Sequence, residues 1–140
     1  MTTVIFPGRY DSLVEIAKFV NEAARQAGFS NLEQYQVETS VDEACTNIID
    51  YAYQGENRGD IECTCLVEPD ELTVILVDHG KPFNPEYIPI PDTNASLDER
   101  NTQGLGLYIM RQWMDEIHFE FTQDCGNILR MVKRKEKKPC

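Results

Sequence analysis

Residues 41–53 read VDEACTNIIDYAY, and the interpretation of the whole chain depends on this stretch. Its apolar residues recur at the spacing of one helix face, which predicts a helix with that face buried in a core. Glu43 and Asn47 lie four positions apart, so their side chains stand next to each other on the flank of the buried face. A carboxylate and a carboxamide are thereby held together, although an ordinary exposed helix face carries the same residue types. The apolar face comprises Val37, Val41, Ala44, Cys45, Ile48 and Ala52.

Length, charge and hydropathy limit the classes of function. The 140 residues suit a single domain, 1–140, with room for one proper core. The net charge is −11, and six of the 13 Lys and Arg lie at 130–138, so the rest is strongly acidic and nucleic-acid binding is not expected. No signal-peptide pattern opens the sequence and no apolar run approaches the roughly 18 residues of a membrane span. We therefore expect a cytoplasmic protein without membrane contact.

The remaining periodicity predicts an α+β domain. Two helices precede most of the strands, and Cys63 and Cys65 fall on one side of a strand, where we interpret them as small buried residues in a reducing compartment. The expected architecture is a two-layer sandwich: a mixed, mostly antiparallel sheet with helices on one face. The predicted strands are 3–6, 61–67, 72–77, 117–122 and 128–133. The first predicted helix is 10–27, closed by Gly28, and the third is 104–116. The second is capped by Ser30 or Asn31 and continues through 41–53.

A long connection separates the third predicted strand from the third helix. Four of the seven prolines lie at 82, 85, 89 and 91, and the polar segment 92–103 follows them. Structureless connections well past 15 residues are uncommon in small domains and often serve as lids or binding loops. We interpret this connection as a lid.

Asp78 directly follows the apolar run 72–77 and precedes Gly80 by two positions. Its carboxylate would sit at the end of a strand, where it is a good acceptor for an exocyclic amine such as that of adenine. Gly80 lets the backbone approach a flat ring closely. An Asp-x-Gly triplet is also common in simple turns, and by itself it leaves that interpretation open.

Gly104 and Gly106 open the third helix, on either side of Leu105. Glycines at a helix start leave backbone N–H groups uncovered, and these donors together with the helix dipole favour phosphate. The same glycines could serve only as a flexible start. On the central helix, Asn47 can offer its amide oxygen to Mg²⁺, which prefers hard oxygen ligands. Glu43, one turn earlier, can take a proton from an attacking hydroxyl or water.

The order of these segments resembles the three boxes of the GHKL (Bergerat-fold) ATPases, which include histidine kinases, gyrase and the Hsp90 chaperones. Within that superfamily the chain most resembles the stand-alone anti-sigma-factor serine kinases of bacteria, a likeness carried also by the run GLGLYIM at 104–110. The resemblance covers nearly the whole chain, and the boxes are specific jointly rather than singly. They are Glu43-x-x-x-Asn47, Asp78-x-Gly80-x-Pro82-Phe83 and Gly104-x-Gly106-Leu107.

The resemblance implies a kinase that uses ATP and Mg²⁺. It implies that Asn47 coordinates Mg²⁺, that Glu43 is the general base, and that Asp78, supported by Gly80, binds adenine. The segment Gly104, Leu105 and Gly106 then contacts the nucleotide at its phosphates.

Arg100 lies near the end of the predicted lid, in a place similar to that of a family arginine that reaches the γ-phosphate. Two extra residues separate it from the glycines, and a solvated arginine remains the alternative.

Two functional hypotheses follow. In the first, the protein phosphorylates a serine on a small anti-anti-sigma protein and sequesters a sigma factor. Family members commonly dimerise, so a homodimer is left open. In the second, it is a nucleotide-responsive module that binds a regulator without phosphotransfer. The second is supported by the looser alignment of Arg100 and by Asp50, which stands where the family often has histidine.

Overall fold

The structure, a computed structural model, describes residues 1–83 and 102–136. Within these ranges the chain forms α-helices, one π-helical turn and the strands of one sheet. In chain order the elements are β1 (Thr2–Pro7), α1 (Ser12–Gln26), α2 (Asn31–Asn47), the π-helical turn (Ile48–Ala52), β2 (Asp60–Glu68), β3 (Glu71–Asp78), α3 (Thr102–Trp113), β4 (Glu116–Thr122) and β5 (Gly126–Arg134).

The strands lie in the order β1-β2-β3-β5-β4, and every pairing among the described strands is antiparallel. Ile61, Cys63 and Cys65 alternate along β2 and are buried in the core that the sheet shares with the helices. The predicted α+β architecture and the buried position of the two cysteines are therefore confirmed. The sheet is more regular than the mixed one expected, since no described strand has a parallel neighbour.

α1 ends where the sequence predicted, because Gly28 adopts a φ of +87° in the left-handed region just after the helix. Its start lies at Ser12 rather than at Tyr10. The Ser12 hydroxyl donates to the Pro7 carbonyl over 2.7 Å, and the Ser12 N–H donates to Arg9 O over 3.0 Å. These bonds hold a turn between β1 and the helix, so the helix begins two residues late.

α2 begins with a capping box, which confirms Ser30 as the cap. The Ser30 side chain accepts a bond from Glu33 N at 3.2 Å, and Glu33 Oε1 accepts one from Ser30 N at 2.9 Å. Glu33 Oε2 also accepts from Glu136 N at 2.8 Å, so the chain after β5 is tied to the same point. Burial alone would raise the pKa of Glu33, but the bonds from Ser30 and Glu136 outweigh it and lower that pKa below its ordinary value.

The helix predicted through residue 53 changes its winding directly after Asn47. Tyr53 N donates to Ile48 O over 2.9 Å, a bond that spans five residues as in a π-helix. Single π-helical turns are frequent at functional sites. The apolar face predicted for this stretch is confirmed, since each of its members is buried: Val37, Val41, Ala44, Cys45, Ile48 and Ala52.

The third helix was predicted at 104–116 and runs instead over Thr102–Trp113, so its predicted end is wrong. Asp115 N donates to Val132 O over 2.8 Å, which draws the chain into the sheet. Lys133 Nζ donates to Trp113 O over 2.5 Å and occupies the last helical carbonyl. Tertiary hydrogen bonds with β5 therefore override a helical periodicity that continues in the sequence.

We predict that Ser30→Ala lowers the free energy of unfolding by about 1 kcal/mol, because the Glu33 N–H loses its capping acceptor. Urea denaturation monitored by circular dichroism measures the change. Ser30→Asn, which restores a capping acceptor, should stay close to the wild type. Equal stability of Ser30→Ala and the wild type would contradict the role of this cap.

Candidate functional site

A cleft of about 370 Å³, counting the part open to solvent, lies between α2, the end of β3 and the hairpin of β4 and β5. Asn47, Asp78 and Asn127 provide its polar lining. The cleft therefore brings together Asn47 and Asp78, two residues that the sequence placed on separate segments. Its apolar lining includes Phe83, Met110, Phe119, Phe121 and Leu129.

Asn47 is 3% exposed, and its amide oxygen Oδ1 is buried without a hydrogen-bond partner among the described residues. Leaving a buried polar atom unpaired costs about 1–3 kcal/mol. Such an atom in a native fold calls for an explanation, and an ion at the site is one of those known. An amide oxygen is a hard ligand of the kind that Mg²⁺ prefers. The residue present thus fits the metal that the sequence assigned to it.

Glu43 stands one turn before Asn47 on α2, is about half-buried, and is not among the described residues that line the cleft. Burial raises the pKa of its carboxyl, and the negative charge of Asp42 raises it further. Asp42 is itself half-buried, and burial raises its pKa as well. A carboxylate with a raised pKa is a better proton acceptor near neutral pH.

Asp78 is 3% exposed at the end of β3, directly across from Asn127 on β5. Its Oδ1 accepts bonds from Asn127 Nδ2 at 2.8 Å and from Gly80 N at 2.9 Å. Burial raises the pKa of Asp78, while these two bonds oppose the rise. The Asn127 amide also donates to Gly80 O over 3.1 Å. The carboxylate is therefore held in one orientation at the cleft wall.

Gly80 packs against the end of the π-helical turn. A Cβ at this position would lie 2.5 Å from Ala52 O, closer than real side chains approach. Lys81 N donates to the same carbonyl over 2.7 Å. The glycine is thus required by the contact between two segments of the protein, whether or not a ring also approaches it.

Aromatic rings line one side of the cleft. Phe83 contacts Tyr51 with ring centroids 5.7 Å apart and Phe121 at 6.4 Å. Phe119 and Phe121 stack at 6.5 Å with an interplanar angle of 10°. Such a wall suits a flat apolar ligand face.

The glycines of the third box lie within the first turns of α3, and Met110 of the same helix lines the cleft. The structure thus places Gly104, Leu105 and Gly106 on an element that borders the site. Arg100 and most of the predicted lid lie at 84–101, outside the described residues.

Asp50 does not line the cleft. Its Oδ1 accepts a hydrogen bond from the Tyr10 hydroxyl, and this bond is the main reason that the pKa of Tyr10 is raised. Asp50, which stands where the family often has histidine, therefore forms a hydrogen bond with the segment before α1.

Residues 6–133 match the sequence model of the histidine kinase-like ATPase domain. The chain belongs to the histidine kinase-like ATPase family. The serine-protein kinase RsbW of Bacillus velezensis is 32% identical over 118 residues, which cover 79% of this chain and 70% of that protein. RsbW of Bacillus licheniformis is 29% identical over 123 residues, with the same coverage.

Solved structures share the fold of this histidine kinase-like ATPase domain. The RsbU and RsbW domains of a Mycobacterium tuberculosis protein align with a TM-score of 0.59 and 10% identity, covering 96% of this chain and 32% of that one. The catalytic domain of the histidine kinase ThkA aligns with a TM-score of 0.53 and 18% identity, covering 96% and 98%. At these identities the likeness supports the fold alone.

Sequence reasoning missed Asn127 as a residue of the site in this histidine kinase-like ATPase domain. The sequence analysis places residue 127 only in the connection between the predicted strands 117–122 and 128–133. The signal was present, because Asn127 alternates with Leu129 and Met131, which face the core. A polar residue in phase with buried ones at a strand end is a candidate for an internal hydrogen bond.

We predict that Asp42→Asn lowers the pKa of Glu43, since a like charge beside it is removed. NMR titration of the carboxyl carbons measures this shift. Glu38→Gln is the matched control: it removes a carboxylate one turn before Asp42 that does not act on the pKa of Glu43. An unchanged pKa of Glu43 in Asp42→Asn, or the same shift in both variants, would rule out the coupling.

Proposed function

We propose that the protein is an ATP-dependent serine protein kinase and an anti-sigma factor, built as one domain over 1–140. It binds ATP with Mg²⁺ in the cleft, transfers the γ-phosphoryl group to a serine of an anti-anti-sigma protein, and sequesters a sigma factor. Family membership and the similar proteins named serine-protein kinase support this activity.

The observation that carries the proposal is the buried oxygen of Asn47, which has no hydrogen-bond partner within residues 1–83 and 102–136. Mg²⁺ usually keeps several waters and is held by one or two protein oxygens together with substrate phosphates, so a single amide oxygen suits it. When bound, the ion would neutralise charge on the triphosphate. The first turns of α3, which contain Gly104 and Gly106, would offer backbone N–H groups to the phosphates.

The other end of the cleft suits a purine base. The Asp78 carboxylate, oriented by Asn127, can accept a hydrogen bond from an exocyclic amine. Phe83 and Phe121 line the same cleft and can cover the apolar face of the ring. The chemistry of this end favours adenine, whose amine is a donor.

Glu43 is proposed as the general base. Its carboxylate takes the proton of the serine hydroxyl while the serine oxygen attacks the γ-phosphorus, and ADP leaves with the bridging oxygen. Glu43 must be deprotonated to act, so activity should fall as the pH drops through its raised pKa. Arg100 is proposed to reach the γ-phosphate.

The partners are proposed to be proteins, an anti-anti-sigma protein and a sigma factor, and a homodimer is left open as the assembly. The acidic charge outside the basic end argues against direct nucleic-acid binding. In the ranges that the structure describes, no helix has the length and apolar character needed to cross a bilayer. We propose a cytoplasmic location.

We predict that Glu43→Gln reduces phosphoryl transfer by at least about 100-fold, because the serine proton loses its acceptor. ADP affinity should remain within about twofold, since the change acts on the chemical step. The assay incubates γ-labelled ATP and Mg²⁺ with the protein and a small anti-anti-sigma protein of the same genome, and measures label on serine. Calorimetry measures ADP binding.

Asp42→Asn is the matched control, because Asp42 is the neighbouring half-buried carboxylate. This variant should retain phosphoryl transfer at neutral pH. The pH at which its activity falls on acidification should be lower than in the wild type, because the pKa of Glu43 falls. Tight partner binding without label in the wild type would refute the kinase and favour a regulator-binding module. Full transfer by Glu43→Gln would refute the role of Glu43.

A further inference from the structure

The Tyr53 hydroxyl joins two segments next to the cleft. It donates to Asp60 O over 2.5 Å and accepts from His79 N over 3.1 Å. Tyr53 is 8% exposed, and both bonds are partly buried. The start of β2 is thereby tied to the residue that directly follows Asp78.

The surroundings of the ring leave it little freedom to move. A Cβ at Gly59 would lie 2.3 Å from Cε1 of the Tyr53 ring, so the loop backbone packs directly on the ring. Gly8 N donates to Gly59 O over 2.8 Å and closes this loop against the end of β1. The hydroxyl is therefore held in place by packing on the ring that carries it.

The turn that contains Asp78 is fixed by successive backbone donors. His79 N donates to Tyr53 Oη, Gly80 N to Asp78 Oδ1, and Lys81 N to Ala52 O. One of these acceptors, Ala52 O, is in the last residue of the π-helical turn that begins directly after Asn47, and Tyr53 directly follows that turn. The turn after Asp78 is thus held in position by residues that directly continue the helix that carries Asn47.

We infer that Tyr53 is a positioning residue for base selection: its hydroxyl fixes the turn 78–80 so that the Asp78 carboxylate meets an amine, rather than an oxo group, at position 6 of a purine. The inference rests on the proposed function, in which Asp78 receives the base. Tyr53 is not among the residues that line the cleft, so it acts through Asp78. A tyrosine hydroxyl is protonated at neutral pH and can donate, and burial raises the pKa of Tyr53 further.

The test uses Tyr53→Phe in the full chain, which removes the hydroxyl and retains the ring. Calorimetry with Mg²⁺ measures the dissociation constants of ADP and of IDP, which carries an oxo group in place of the amine. The preference for ADP over IDP should fall by about five- to tenfold, the size expected for one hydrogen bond. Tyr35→Phe, an exposed tyrosine on α2 that contacts Trp113, should keep the wild-type preference.

A second measurement does not depend on ligand. Exchange of the His79 amide hydrogen should be at least about tenfold faster in Tyr53→Phe, because this N–H loses its acceptor. Amides of β3 that pair with β5 should exchange as in the wild type, which separates a local change from a loss of global stability.

The outcomes distinguish the inference from the proposal beneath it. Equal weakening of ADP and IDP in Tyr53→Phe, or an unchanged ratio, overturns the inference alone. Wild-type protein that binds neither nucleotide, or binds IDP as well as ADP, overturns the proposed function of Asp78. A reduced ratio together with faster His79 exchange supports the positioning role.

Discussion

The arrangement of the site depends on the amide oxygen of Asn47, a buried group with no hydrogen-bond partner in the part of the chain that the structure describes. The same helix and the π-helical turn after it bury an apolar face in the core, and that face includes Ala44 before Asn47 and Ile48 after it. This packing keeps Asn47 buried, with 3% of the residue exposed. The free energy lost by leaving it unpaired is compensated if a hard cation arrives with the substrate. The unpaired Asn47 oxygen thus lowers the stability of the fold, and binding of the cation would offset that loss.

The fold brings the other end of the site to the same cleft through strand register. Asp78 and Asn127 are opposite residues of β3 and β5, so the sheet itself pairs the carboxylate with the amide that orients it. The π-helical turn completes the arrangement, because its last residue, Ala52, and the following Tyr53 accept bonds from the turn after Asp78. A site that lies between a helix and two strands is thus held by hydrogen bonds from each of them.

The sequence predicted the structure correctly where the residue types and the spacing of apolar residues indicated the same element. The buried face of α2, the Ser30 cap and the stop at Gly28 each follow from local chemistry, and each is confirmed. The predictions failed where contacts between segments far apart in the sequence determine the structure. The end of α3 depends on Lys133 and Val132 of β5, and the pairing of Asn127 with Asp78 depends on register, which no local pattern reports. The π-helical turn likewise has no signature in the period of its apolar residues.

A crystal structure with Mg²⁺ and a non-hydrolysable ATP analogue tests the central claim most directly. We predict that Asn47 Oδ1 lies about 2.1 Å from the metal, within an octahedral shell completed by phosphate oxygens and water. The adenine amine should then lie within hydrogen-bond distance of the Asp78 carboxylate. A metal bound elsewhere, with Asn47 Oδ1 still unpaired beside the nucleotide, would contradict the account.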